Sequence, residues 1–172
     1  MIVKSDFQTG SAGNLITYIS EDAERTVEIR DSTGRKLSEK EIEAFVGRSE
    51  TADMQRQFII APDPDAGYTA AEIDQCTRST LNGWKAERPS VEYVYGVHAR
   101  PESGKSHAHA AAIGKKRDLH METDDLTAIR EQARERFRER TRLRSRERVQ
   151  ERSVTAEQER EVTQAQEDYD DI

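Results

Sequence analysis

Two stretches of this chain leave little choice about what it can fold into. VEYVYGV (91–97) and HAHAAAI (107–113) are apolar at alternate positions and nearly so at the positions between, so both faces of each must be kept from water. Strands of that kind lie in the interior of a sheet whose faces are covered. The loop ARPESGKS between them carries Pro, Ser and Gly, so the pair reads as a hairpin at the centre of the domain.

The remaining segments supply what the hairpin needs. IVKSDF is a short extended run, and Ser11 is placed to cap a helix through NLITYIS with Leu15 and Ile19 inward. TVEIRDSTGRKL reads as a strand with alternating Val27 and Ile29, closed by DSTG. Ser38-x-x-Glu41 and Thr69-x-x-Glu72 are capping boxes. The first opens a short helix EIEAFV that Gly47 should end. The second opens a helix in which Ile73, Cys76, Thr80, Leu81 and Trp84 recur on one face. Between them QRQFIIA is a strand stopped by PDPDAG, and GKKRDLHM after the hairpin reads as a turn and edge extension. Thr123 starts a last helix, with Asp124 and Asp125 against its dipole and Leu126, Ile129, Ala133 and Phe137 on the core. The expected class is α+β, a mostly antiparallel sheet of about five strands flanked by helices, with a long basic C-terminal helix.

Past Phe137 the apolar stripe fails. Arginine stands at every second position from Arg134 to Arg148, and residues 129–152 hold ten Arg against five Glu. Residues 153–172 hold one Arg against seven acids, so the tail from Ser153 is expected to fray. With 34% hydrophobic and 35% charged residues, part of the chain must lie outside the core. The expected division is a folded domain over 1–140 and an Arg-rich helical extension with an acidic, disordered tail over 141–172. No run reaches membrane-helix length, and MIVKSDFQTG lacks the basic and apolar blocks of a signal peptide, so the expected location is cytoplasmic. The lone Cys76 excludes an internal disulfide and a multi-cysteine zinc site.

Three of the four histidines, His98, His107 and His109, fall at the hairpin. Residues i and i+2 of a strand share a face, so His107 and His109 project together, and His98 leaves one strand as His107 enters the next. Three neutral imidazoles can hold one divalent cation and leave positions open for water or substrate. The plainer alternative is strand histidines bonded to backbone or solvent. His120, on a separate segment, suits a structural or DNA-side role better than that of a fourth ligand. No Glu stands beside a histidine as in HExxH. The set therefore suits polarising a phosphate while another residue attacks.

"HAH" resembles the His-hydrophobic-His signature of the HUH endonucleases, the plasmid relaxases and rolling-circle replication initiators. The order of pieces favours the mobilisation relaxases. "VKSDF…NLITYISED" is similar to their first strand and the helix bearing the nucleophilic tyrosine, and "QRQFIIAPDPDAGYTAAEI" to their next strand and helix. "YVYGVH…HAHAAAIG" is similar to their metal-binding hairpin, and "LHMETDDLTAIREQARERF" to the helix after it. The resemblance covers about residues 2–140.

It implies a site- and strand-specific DNA nickase and transesterase of minimal size, acting in plasmid mobilisation or conjugation. Tyr18 would attack a phosphodiester and leave a 5′-phosphotyrosine and a free 3′-hydroxyl. His98, His107 and His109 would hold Mn²⁺ or Mg²⁺. The implied partners are single-stranded DNA at a plasmid origin of transfer or replication, and accessory mobilisation proteins. Arg100, Lys105, Lys115, Lys116, Arg117, Arg134 and Arg138 are the candidate DNA contacts. One departure stands out: the family places an Asp two residues after the first histidine, and this chain has His98-Ala99-Arg100-Pro101. Glu102 or Asp6 would have to replace it. The alternatives are a replication initiator with the same chemistry and a DNA-binding protein on the same fold that has lost cleavage.

Overall fold

A computed structural model describes residues 1–8, 12–22, 25–100, 102 and 105–170. In chain order the elements are β1 (Ile2–Gln8), α1 (Gly13–Ser20), β2 (Glu21–Asp22), β3 (Arg25–Thr26), β4 (Arg30–Asp31), α2 (Glu39–Glu50), β5 (Met54–Ala61), a single 3-10 turn (Pro64–Ala66), α3 (Ala70–Lys85), β6 (Glu92–His98), β7 (His107–Gly114), α4 (Lys116–Leu119) and α5 (Thr123–Asp170). The sheet runs β1-β5-β7-β6-β4 with every neighbouring pair antiparallel, and β2 and β3 form a separate two-stranded ribbon. The α+β expectation holds, and the hairpin strands β6 and β7 are interior strands as their two apolar faces require.

The two faces carry separate cores. On one, Leu15, Ile16 and Ile19 of α1 and Phe45 of α2 pack on Val94, Ala111 and Ile113. On the other, Ile73, Leu81 and Trp84 of α3 and Ile129, Ala133 and Phe137 of α5 pack on Phe58, Ile60, Tyr93, Tyr95 and the alanines 108, 110 and 112. Small residues along β7 let helices approach the middle of the sheet from both sides. The buried phenols do not go unpaired: Tyr93 donates to Asn82 at 2.7 Å and Tyr95 to Asp74 at 3.0 Å, both on α3.

Both capping boxes form, Ser38 with Glu41 and Thr69 with Glu72. Three expectations are corrected. Gly47 does not end α2, which continues to Glu50, because an exposed helix tolerates one glycine at a cost of about 1 kcal/mol. TVEIRDSTGRKL is not one strand: only Arg30 and Asp31 join the sheet, although Val27 and Ile29 are buried beside it. GKKRDLHM contains a helical turn, α4, rather than an edge extension. α5 continues through Asp170, over a run past Phe137 that holds no Gly or Pro and is rich in Arg, Glu and Gln. The expected Ser11 cap lies outside the described residues. The chain divides into two compact units, Met1–Phe137 and Arg138–Ile172.

Candidate active site

The hairpin ladder places the histidines. His98 pairs directly with His107, and His109 pairs with Gly96 two residues further along. Directly paired residues, and residues two apart, share a face, so all three imidazoles project to the α1 side. The ring centroids of His98 and His107 are 5.1 Å apart, those of His98 and His109 5.1 Å, and those of His107 and His109 4.8 Å. The convergence expected from the spacing is present.

α1 sits over this cluster because Gly96 lets it. A Cβ at Gly96 would meet Ile19 Cγ2 and Val27 Cγ1 at 2.8 Å each, closer than carbon atoms pack. The helix start is tied down as well, its Ala12 amide donating to the buried Ser49 hydroxyl of α2 at 2.8 Å. Held there, α1 brings the Tyr18 ring to 5.2 Å from His109, perpendicular to it, while leaving Tyr18 57% exposed. A buried, core-packing tyrosine is the commoner fate of an aromatic on such a helix, and Tyr18 does not share it. Neither Gly96 nor Ser49 stands out in the sequence as a site residue. For Gly96 the signal was available, since a glycine inside an otherwise covered strand marks a close approach of another element.

Each ring has a distinct environment. His98 Nε2 lies 2.9 Å from the Ile19 carbonyl, and His107 Nδ1 lies 2.7 Å from the Lys105 carbonyl. A carbonyl only accepts, so Nε2 of His98 and Nδ1 of His107 carry the hydrogens. That tautomer of His107 puts its lone pair on Nε2. His109 is 2% exposed, and neither of its ring nitrogens has a protein partner. Burial first, then the neighbouring His107 and His98, pushes its pKa down to about 4, so the ring is neutral at neutral pH.

The donor chemistry fits a divalent cation: three adjacent imidazoles, one of them buried, neutral and orphaned, and one steadied through its other nitrogen by a carbonyl. Among the described residues, however, no group of three or more His, Cys, Asp or Glu side chains is placed so that it could hold a metal ion as it stands. The set is matched in chemistry and proximity, with the His98 Nε2–Ile19 contact the feature that competes with coordination.

The other candidate residues scatter. Arg100 and Lys105 flank the histidines in the hairpin connection, and the Arg100 amide donates to Ser106 Oγ. Lys115, Lys116 and Arg117 follow the opposite end of β7, roughly 20 Å beyond His109 at about 3.4 Å per residue. His120 closes α4 at that same distant end. Arg134 lies on the part of α5 that covers the opposite face of the sheet, and Arg138 belongs to the second unit. Asp6 stands two strands from β7 in the row Asp6–Gln57–Ala111, and its carboxylate accepts from the Phe7 amide at 2.9 Å.

No family model matches the chain, and neither does any curated protein or solved structure. No helix among the described residues is long and apolar enough to cross a membrane.

Proposed function

We propose that this chain is a metal-dependent, strand-specific DNA nickase and rejoining enzyme of the HUH relaxase kind. The observation that carries the reading is the meeting of four side chains: three imidazoles 4.8–5.1 Å apart on two paired strands, with the exposed Tyr18 ring 5.2 Å from one of them. His98, His107 and His109 would hold Mn²⁺ or Mg²⁺, which when bound withdraws charge from the non-bridging oxygens of a phosphodiester.

The chain's own residues account for the rest. Tyr18 Oη forms a bond to phosphorus as the bond from phosphorus to the 3′-oxygen breaks. The phenolic proton leaves to solvent, which reaches Tyr18, and the departing 3′-oxygen takes up a proton to become the hydroxyl. One ester replaces another, so the reverse reaction reseals the strand. Phenols attack poorly until the proton departs, so placement must supply much of the rate. The seat of α1 on Gly96 and its tether to Ser49 support such a placement. Tyr68 donates to the Phe137 carbonyl, and Tyr93 and Tyr95 are buried on the far face, so none of these competes for the role.

The test uses 3′-labelled single-stranded oligonucleotides of random sequence with Mn²⁺ and the full chain. The expected result is a labelled adduct that survives denaturing electrophoresis and disappears with chelator or in Tyr18→Phe. An adduct mapped by peptide mass to another tyrosine would remove Tyr18 from the role. Binding without any adduct would favour the non-cleaving alternative.

A further inference from the structure

On the histidine face of the sheet α1 covers β6 and β7, and Lys4 and Asp6 of β1, on the same face, are exposed. A lateral row of paired residues, Gly96, His109, Ile59 and Lys4, crosses the sheet from β6 to β1. With strands about 4.8 Å apart, Lys4 stands roughly 10 Å from His109 along that row. A groove of about 400 Å³ straddles the β1 edge, lined by Lys4, Asp6, Gln57 and Ile59 of the histidine-face row and by Ser5, Leu126 and Arg130 from the α5 side. A second hollow of about 280 Å³ continues along the outer edge of β1, between Lys4, Arg130 and Arg134. Arg130 is fixed in place by its bond to the Val3 carbonyl at 3.1 Å, while Lys4 and Arg134 are exposed. Three cations therefore follow one free sheet edge that begins beside the histidines, with Asp6 the single acid lining either hollow.

We infer that this edge is the track for the single strand flanking the scissile phosphate, an inference that rests on the nickase reading above. The strand leaves Tyr18 and the histidines, crosses Ile59, and lays successive phosphates against Lys4, Arg130 and Arg134. Three arguments support a nucleic acid here. The row is continuous with the candidate site. Three cations lining two adjoining hollows match a polyanion in a chain whose net charge is −7. And Ile59, half-buried between Lys4 and His109, offers an apolar floor on which a base can rest. The track also accounts for Arg134, which lies on the opposite side of the sheet from the histidines yet reaches the same edge.

The experiment measures binding of a fluorescent thirty-nucleotide oligothymidylate to the full chain over a range of salt. It compares Lys4→Glu/Arg134→Glu with Lys40→Glu/Lys85→Glu, a pair with the same change in net charge placed away from the edge. Both positions of the test pair are on the surface, so the fold should stand. The edge variant is expected to bind roughly tenfold or more weakly, with a log–log salt slope flatter by about 1.4, two single-strand phosphate contacts at about 0.7 each. The control pair should keep the wild-type slope. If the edge pair also keeps that slope, the track is refuted, Lys4 is an edge lysine guarding against strand pairing, and the nickase reading stands. If the wild-type chain binds no oligonucleotide at any salt, both readings fall together.

Discussion

His109 is a side chain that the fold holds at a cost. Both its ring nitrogens are buried without a partner, an arrangement that proteins ordinarily avoid because each such atom forfeits its hydration. With its pKa lowered from 6.5 to about 4, the folded chain resists protonation where the unfolded chain accepts it. Between those values the unfolded state binds more protons, so stability is complete above about pH 6.5 and is lost as pH falls toward 4. With chelator present, urea unfolding should show this ring removing about 2 kcal/mol between pH 7 and pH 5. His109→Leu, of similar bulk and with nothing to protonate, should lose that share of the pH dependence and be no less stable at pH 7. An unchanged pH dependence in the variant would show that the ring is hydrated or paired in solution.

Among the elements, α1 carries the most consequence for its length. Eight residues hold Tyr18 in place, and they do so over one position without a side chain on the sheet below. Gly96→Ala should push α1 outward, costing about 1–3 kcal/mol by overpacking. Adduct formation should fall far more than the melting temperature would suggest. Ile19→Leu in the same background, which removes the Cγ2 methyl that the new Cβ meets at nearly constant volume, should recover part of both, and failure to recover either would place the strain elsewhere. The elements differ in how far the sequence announced them. Capping boxes and the apolar stripe of α3 were legible because they depend on neighbours three and four residues away. The histidine cluster was legible because strand alternation and one hairpin sufficed to bring it together. The open edge of β1 was not, because it depends on the order β1-β5-β7-β6-β4 and on α5 crossing behind it. Nor was the brevity of β4, where Val27 and Ile29 alternate as a strand would and are buried without joining the ladder.

At the scale of the molecule, the core ends where the first unit does. Ile129, Ala133 and Phe137 are buried, whereas Leu143, Val149 and Val154 are 42%, 66% and 48% exposed. Within the second unit the arginine ladder finds some internal pairing, as in Arg140 with Glu147 at 3.3 Å. Exposed pairs of that kind contribute at most about 1 kcal/mol, so the first unit should not depend on them. A chain ending at residue 140 should keep its melting temperature within about 3 °C. If the ladder from Arg142 to Arg148 holds DNA, the shortened chain should also show a flatter salt slope, by about 0.7 for each phosphate it no longer neutralises. An unchanged slope would leave those arginines as a solvated helical surface.

The pairing of His98 with His107 closes the ladder at the last residue of one strand and the first of the next. The backbone bonds of the hairpin, not the connection beyond them, thus set the spacing of the imidazoles. Within the connection the Lys105 carbonyl still orients the His107 ring, so a change there can turn that ring without moving the strands. If the chain acts on DNA as proposed, a change at Arg100 could alter which nucleotides it prefers while the strands keep the imidazole spacing. Recognition and chemistry would then be free to evolve at different speeds.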